Sequence, residues 1–147
     1  AIRWAGEAGL HTLFTSNDSM NADMLALNEH LGYRATHVLL GSSGYSAQVA
    51  GQLGLETDFS LAADDLRGQT VKAMRNVEIA MRAAGVGWDD IVRRTIYTLH
   101  PTEYEVITSA IDEVTGGADH PAQTIVGITG LAVPGCLIEI ECTAVVA

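Results

Sequence analysis

Glu139 and Glu141 stand two residues apart in "CLIEIECTAVV", an otherwise apolar run that reads as a β-strand. Strand side chains alternate between faces. Both carboxylates therefore share a face with Leu137, Thr143 and Val145, while Cys136, Ile138, Ile140, Cys142 and Ala144 share the other. A carboxylate on a partly dry surface can take up and return a proton, which is general acid–base work. The plainer alternative is a polar pair satisfied within an interface. Cys136 and Cys142 fall ~20 Å apart along that strand, beyond disulfide reach, and read as buried core thiols. His11, His30, His37, His100 and His120 are scattered, with no HxxxH or CxxC pair, so no metal is expected.

The elements that must position these residues follow from periodicity and punctuation. "TSNDSMNADMLALNEHLGY" suggests a short amphipathic helix within residues 1–36, a segment that reads differently from the rest. "HVLLGSSGYSAQVAGQLGL" predicts a hairpin, Val38 to Leu40 and Tyr45 to Leu55 around a Gly-Ser-Ser-Gly turn. Leu66, Val71, Met74, Val77, Met81 and Ala84 recur at helical spacing, with Asp64 and Asp65 suited to the first turn and Gly85 as the stop. "DIVRRTIYTLH" predicts a strand whose Val92, Ile96 and Thr98 alternate with Arg93, Thr95 and Tyr97. Pro101 is expected to open a second helix carrying Tyr104, Ile107, Ile111 and Val114. Two closing strands follow. The order β-β-α-β-α-β-β predicts an α+β domain over residues 37–147, with both helices on one face of a mixed sheet. The other face is left half apolar and half polar, which points to burial against another subunit.

Length and charge restrict the function classes. A chain of 147 residues suits one globular domain. The net charge of −10, from 18 acidic and 8 basic residues, repels phosphate backbones and argues against a nucleic-acid partner. No apolar run reaches the roughly 18 to 20 residues of a membrane helix, and no secretory leader is visible, so no membrane partner is expected and the cytoplasm is the expected compartment.

From about Gln48 to Val146 the chain resembles the RidA/YjgF family of imine deaminases. The resemblance rests on "GQLGL", on "QTVKAMRNVEIAMRAAGVGWDDIVRRTIYTLHPTEYEVITSAI", and on "HPAQTIVGITGLAVPGCLIEIECTAVV". The last is similar to the family's Pro-Ala-Arg-Ser/Thr strand, Leu-Pro-x-Gly turn and Glu-Ile-Glu-Ala strand. The resemblance implies a chorismate-mutase-like fold, assembled as a homotrimer with sites between subunits. It also implies hydrolysis of a small enamine or imine substrate to a keto acid and ammonia, with no cofactor. By that likeness Glu139 would be the water-activating base, and a bidentate Arg would grip the substrate carboxylate.

The Arg position holds Gln123, whose neutral amide bonds are roughly half as strong as ionised ones. That departure implies a substrate uncharged at this anchor, or an acid group held elsewhere. Ala50 stands where a Ser usually precedes Gly-Gln. The neighbouring Gly51 permits close approach of its backbone N–H to a substrate oxygen. An ungapped alignment puts His37 at a frequent active-site Tyr, where it would serve as an acid or base near neutral pH, or as a structural His. Arg93 and Arg94 are expected to be solvated, the alternative being that one replaces the missing charge. Glu141 is expected to pair within the interface. Two other readings remain: a non-catalytic small-molecule-binding trimer, and the same fold used for another reaction, such as tautomerisation or ring hydrolysis.

Overall fold

The computed structural model describes residues 12–14, 37–41 and 44–146, and the expected helix within residues 1–36 lies outside them. The described elements are β1 (Thr12–Phe14), β2 (His37–Gly41), β3 (Gly44–Leu53), α1 (Leu66–Ala84), β4 (Ile91–Thr98), α2 (Tyr104–Thr115), β5 (Ala122–Gly127) and β6 (Ile138–Val146). They follow the expected order, with β1 added. The strands form one six-stranded sheet in the order β1-β2-β3-β6-β4-β5. The β4–β5 pair is parallel and the other pairs are antiparallel. The sheet is mixed, and β6 lies at its centre between β3 and β4.

Local chemistry sets the helix ends. Asp65 is the N-cap of α1 rather than part of its first turn, and its Oδ1 accepts from the Gly68 N–H at 2.8 Å. Gly85 closes α1 in the left-handed region at φ 74, a conformation with little cost only for glycine. Pro101 does not open α2, which begins at Tyr104 after Glu103. Instead it packs on Gly127, where a Cβ would lie 2.8 Å from the proline Cγ. Tyr104, expected on the buried stripe, is 56% exposed.

Both helices cover the same sheet face. Met74, Val77 and Met81 of α1 and Ile107 and Ile111 of α2 meet Ile138 and Ile140 of β6 in one core. Ile138, Ile140, Cys142 and Ala144 of β6 are buried as alternation requires, and Cys142 and the preceding Cys136 are buried free thiols. Arg94, expected in solvent, is only 2% exposed because it shares the inward parity of Ile96. The expected alternation of β4 fails at Val92, 49% exposed, because the register against β6 shifts between Ile91 and Arg93. One extra residue reverses the facing on its N-terminal side, so Ile91 points inward and Val92 outward.

Candidate functional site

The sheet face away from the helices carries the carboxylates. Cross-strand partners share a face, so Glu139 lies with Leu53 and Tyr97, and Glu141 with Thr95. The Tyr97 hydroxyl donates to Glu141 Oε1 at 3.2 Å, and the Thr143 hydroxyl donates to Gln48 Oε1 at 2.8 Å. Burial, and then the adjacent Glu141 carboxylate, raise the Tyr97 phenol above its usual pKa. This strip is polar and half-buried, and among the described residues no helix covers it. At one end it becomes apolar: Leu53, Leu55 and Cys136 form a second core under Phe59, Leu61, Leu131 and Val133. Glu139 stands at that boundary.

A bulge in β3 makes room for Glu139. The β3–β6 register shifts between the pairs Val49–Cys142 and Gln52–Ile140, leaving Ala50 and Gly51 opposite the single residue Glu141. The buried Gln52 side chain secures the bulge, its Nε2 donating to the Ala50 carbonyl at 2.9 Å. At Gly51 a Cβ would overlap the Glu139 carboxylate, with its Cδ only 2.7 Å away. Glycine is therefore required sterically, so that the acid can lie against the backbone. Gly51 and Glu139 come together, with Ala50 next to Gly51 in the bulge.

Gln123 lies elsewhere. It pairs with Arg94, three residues from the Tyr97 that partners Glu139, and so projects from the helix-covered face. One protomer does not bring Gln123 and Glu139 into a common site. His37 begins β2 opposite Phe14 on the far side of β3, and its side chain is outside the described residues.

Arg94, expected in solvent, is buried beside Gln123. Its Nε donates to Gln123 Oε1 at 2.7 Å, and its Nη2 meets His120 Nδ1 at 2.9 Å. On the other side of the ring, His120 Nε2 lies 2.9 Å from the buried Asp112 Oδ1. Burial lowers the Arg94 pKa, opposed by Cys142 and Asp112. Cys142, directly across the β4–β6 ladder, is pushed up to about 12 by burial despite the Arg94 charge. His120 and Asp112 were not recognised in the sequence, and Arg94 was expected in solvent, with replacement of the missing charge only as the alternative. Parity with Ile96 was the available signal for Arg94, because residues two apart in a strand share a face.

Gln69 of α1 holds the entrance to β6. Its Nε2 donates to the Ala63 and Gly135 carbonyls, each at 3.0 Å, and its Oε1 accepts from the Leu137 N–H at 2.8 Å. Asn76, two turns further along the same face, ties Leu53 and Leu55 to α1 through their carbonyls. These two amides hold the end of β3 and the segment leading into β6, on which Glu139 lies.

The family model described as Endoribonuclease L-PSP matches residues 36–146. The RutC family protein UK114 of Drosophila melanogaster is 29% identical over 97 residues, 65% of this chain and 69% of that protein. A Mycobacterium tuberculosis structure from the YjgF/YER057c/UK114 family is 28% identical with a TM-score of 0.67, covering 92% of this chain and 99% of that one. YyfB of Yersinia pestis, a protein of unknown function from the Rid family, is 27% identical with a TM-score of 0.63, covering 92% and 98%.

Proposed function

Because this chain belongs to the endoribonuclease L-PSP family, the RidA/YjgF group, we propose that it hydrolyses a small enamine or imine, with Glu139 activating the water. The observation that carries this reading is the Glu139 carboxylate seated against Gly51, on a residue paired with Leu53 of the apolar cluster and with Tyr97 of the polar strip. An imine carbon is already electrophilic, so the enzyme's task is to hold a water and move protons. Glu139 accepts a proton from water as its oxygen bonds to the imine carbon and the C=N pair moves to nitrogen, and it passes that proton to the nitrogen. In the resulting carbinolamine Glu139 takes the hydroxyl proton as the carbonyl forms and the C–N bond breaks, and delivers it to the departing nitrogen, which leaves as ammonia. An enamine enters the same path after protonation at carbon. Neither metal nor organic cofactor is required.

The site is completed by neighbouring protomers of a cytoplasmic homotrimer. Glu139 and Gln123 project from opposite faces of one sheet, so only a second copy can set one opposite the other. The strip of Glu139, Glu141, Thr143 and the 45% exposed Val145 is the surface that would be covered. The net charge of −10 disfavours an RNA substrate.

The test is ammonia release from imines generated in situ by an amino-acid-oxidising or dehydrating enzyme. Glu139→Gln is expected to lower the enzyme-dependent rate by about 10²-fold or more. Hydrolysis by Glu139→Gln at the wild-type rate would remove the mechanism. Gln123 in place of an arginine favours a second reading, a trimer that binds small molecules without turning them over. Thermal-shift screening against keto acids and small amides separates the two, since binding without ammonia release supports the second.

A further inference from the structure

We infer that Arg94 is a positioning residue that locks the Gln123 amide with its N–H donors outward, making this a donor-only anchor for a small carboxylate. The inference rests on the proposed reading of Gln123 as a ligand contact. Arginine has only donors, so the group 2.7 Å from Arg94 Nε must be the amide oxygen. The amide orientation, usually ambiguous for a glutamine, is thereby set. Gln123 is half-buried, and among the described residues its Nε2 meets no acceptor. Two N–H bonds are left for a ligand, polarised by the cation bonded to the oxygen of the same amide.

The arrangement behind Arg94 keeps that cation in place. Its guanidinium touches a neutral amide and an imidazole rather than a carboxylate, and the nearest balancing charge, Asp112, lies beyond His120. The positive charge is not cancelled at first contact. The usual arginine at the anchor is replaced by a pair: a donor amide on β5 and a buried guanidinium one strand inward on β4. A carboxylate oxygen fits this anchor, whereas a carboxamide can turn its own donor toward it. The pair contributes fewer donors than an arginine fork, so the grip is weaker but keeps its sign.

The test compares binding of pyruvate and of pyruvamide to wild type and to Arg94→Met, by calorimetry on the full chain. Wild type is expected to prefer the carboxylate. In Arg94→Met the glutamine is free to flip, and carboxylate affinity should fall about tenfold while amide affinity falls much less. A purely structural role would weaken both ligands equally. If Arg94→Met does not fold, Gln123→Glu serves in its place. Its carboxylate would pair with Arg94, leaving the melting temperature unchanged or higher, and would abolish pyruvate binding. An unchanged preference in Arg94→Met, undiminished pyruvate binding by Gln123→Glu, or no binding of either ligand to wild type overturns the inference. Loss of imine hydrolysis with these preferences intact affects only the proposed reaction.

Discussion

At the scale of single residues, the candidate site depends on what is missing at one position and buried at another. Gly51 has no side chain where a Cβ would displace the Glu139 carboxylate. Gly51→Ala is expected to fold with a melting temperature near wild type, because the obstructing atoms are the mobile end of a glutamate. A carboxylate moved by about 1 Å should cost about 10²-fold in kcat, read as ammonia release. Cys142 supplies a pH dependence of stability. Its thiol stays protonated in the folded chain up to about 12, whereas the unfolded thiol ionises from its ordinary value of 9.0. A raised folded pKa contributes fully below 9.0, and that contribution is lost as pH climbs from there toward 12. Urea unfolding between neutral and strongly alkaline pH should show wild type losing stability more steeply than Cys142→Ala, by roughly 1 kcal/mol per pH unit. Folded wild type should also resist alkylation at this sulfur.

Among the elements, α1 does more than cover the sheet. Gln69 and Asn76 project from it as buried amides that hold β3, the Gly135 turn and the start of β6 in fixed relation. Gln69→Leu would leave the Leu137 N–H and two carbonyls without their partner. The expected loss is about 3 kcal/mol by chemical denaturation, with activity falling further than the unfolded fraction explains because Glu139 follows two residues after Leu137. Removal of the α1 cap by Asp65→Ala should cost about 1 kcal/mol and leave the kinetic constants unchanged, so it controls for stability alone. The periodicity of α1 was legible in the sequence. The roles of its buried amides Gln69 and Asn76 were not, because a helical pattern shows which residues face inward but not which loop carbonyls await them.

For the whole molecule, the decisive feature is that one sheet separates the two halves of the proposed site. If Glu139 comes from one protomer and Gln123 from its neighbour, mixing Glu139→Gln with Gln123→Glu chains should restore activity absent from either alone. Random assembly leaves about a quarter of the interfaces with both native residues, and ammonia release should recover to about that share. No recovery after subunit exchange would place both residues in one protomer's site or in none. Sedimentation should give a species of three times the 15.5 kDa chain mass. Val145→Asp, on the open face, should shift it toward monomer by burying an unpaired charge at the interface.

By itself the sequence determined the order of strands and helices from residue 37 onward, the buried face of β6 and the two carboxylates opposite it. These are consequences of local periodicity, and each residue's own neighbours carry the signal. It also indicated the family, through the match of ordered blocks. Three placements were decided only by tertiary structure. The bulge at Val92 depends on the register that β6 imposes on β4. The placement of Pro101 against Gly127, rather than at the start of α2, is a contact made across the fold. The burial of Arg94 beside Gln123 depends on a parallel pairing of strands separated by a helix. Long-range pairing sets these contacts, and it is invisible to a reading that moves one turn or one pleat at a time. In the sequence, Gln123 marked the loss of a positive charge; in the folded chain a guanidinium is bonded to it.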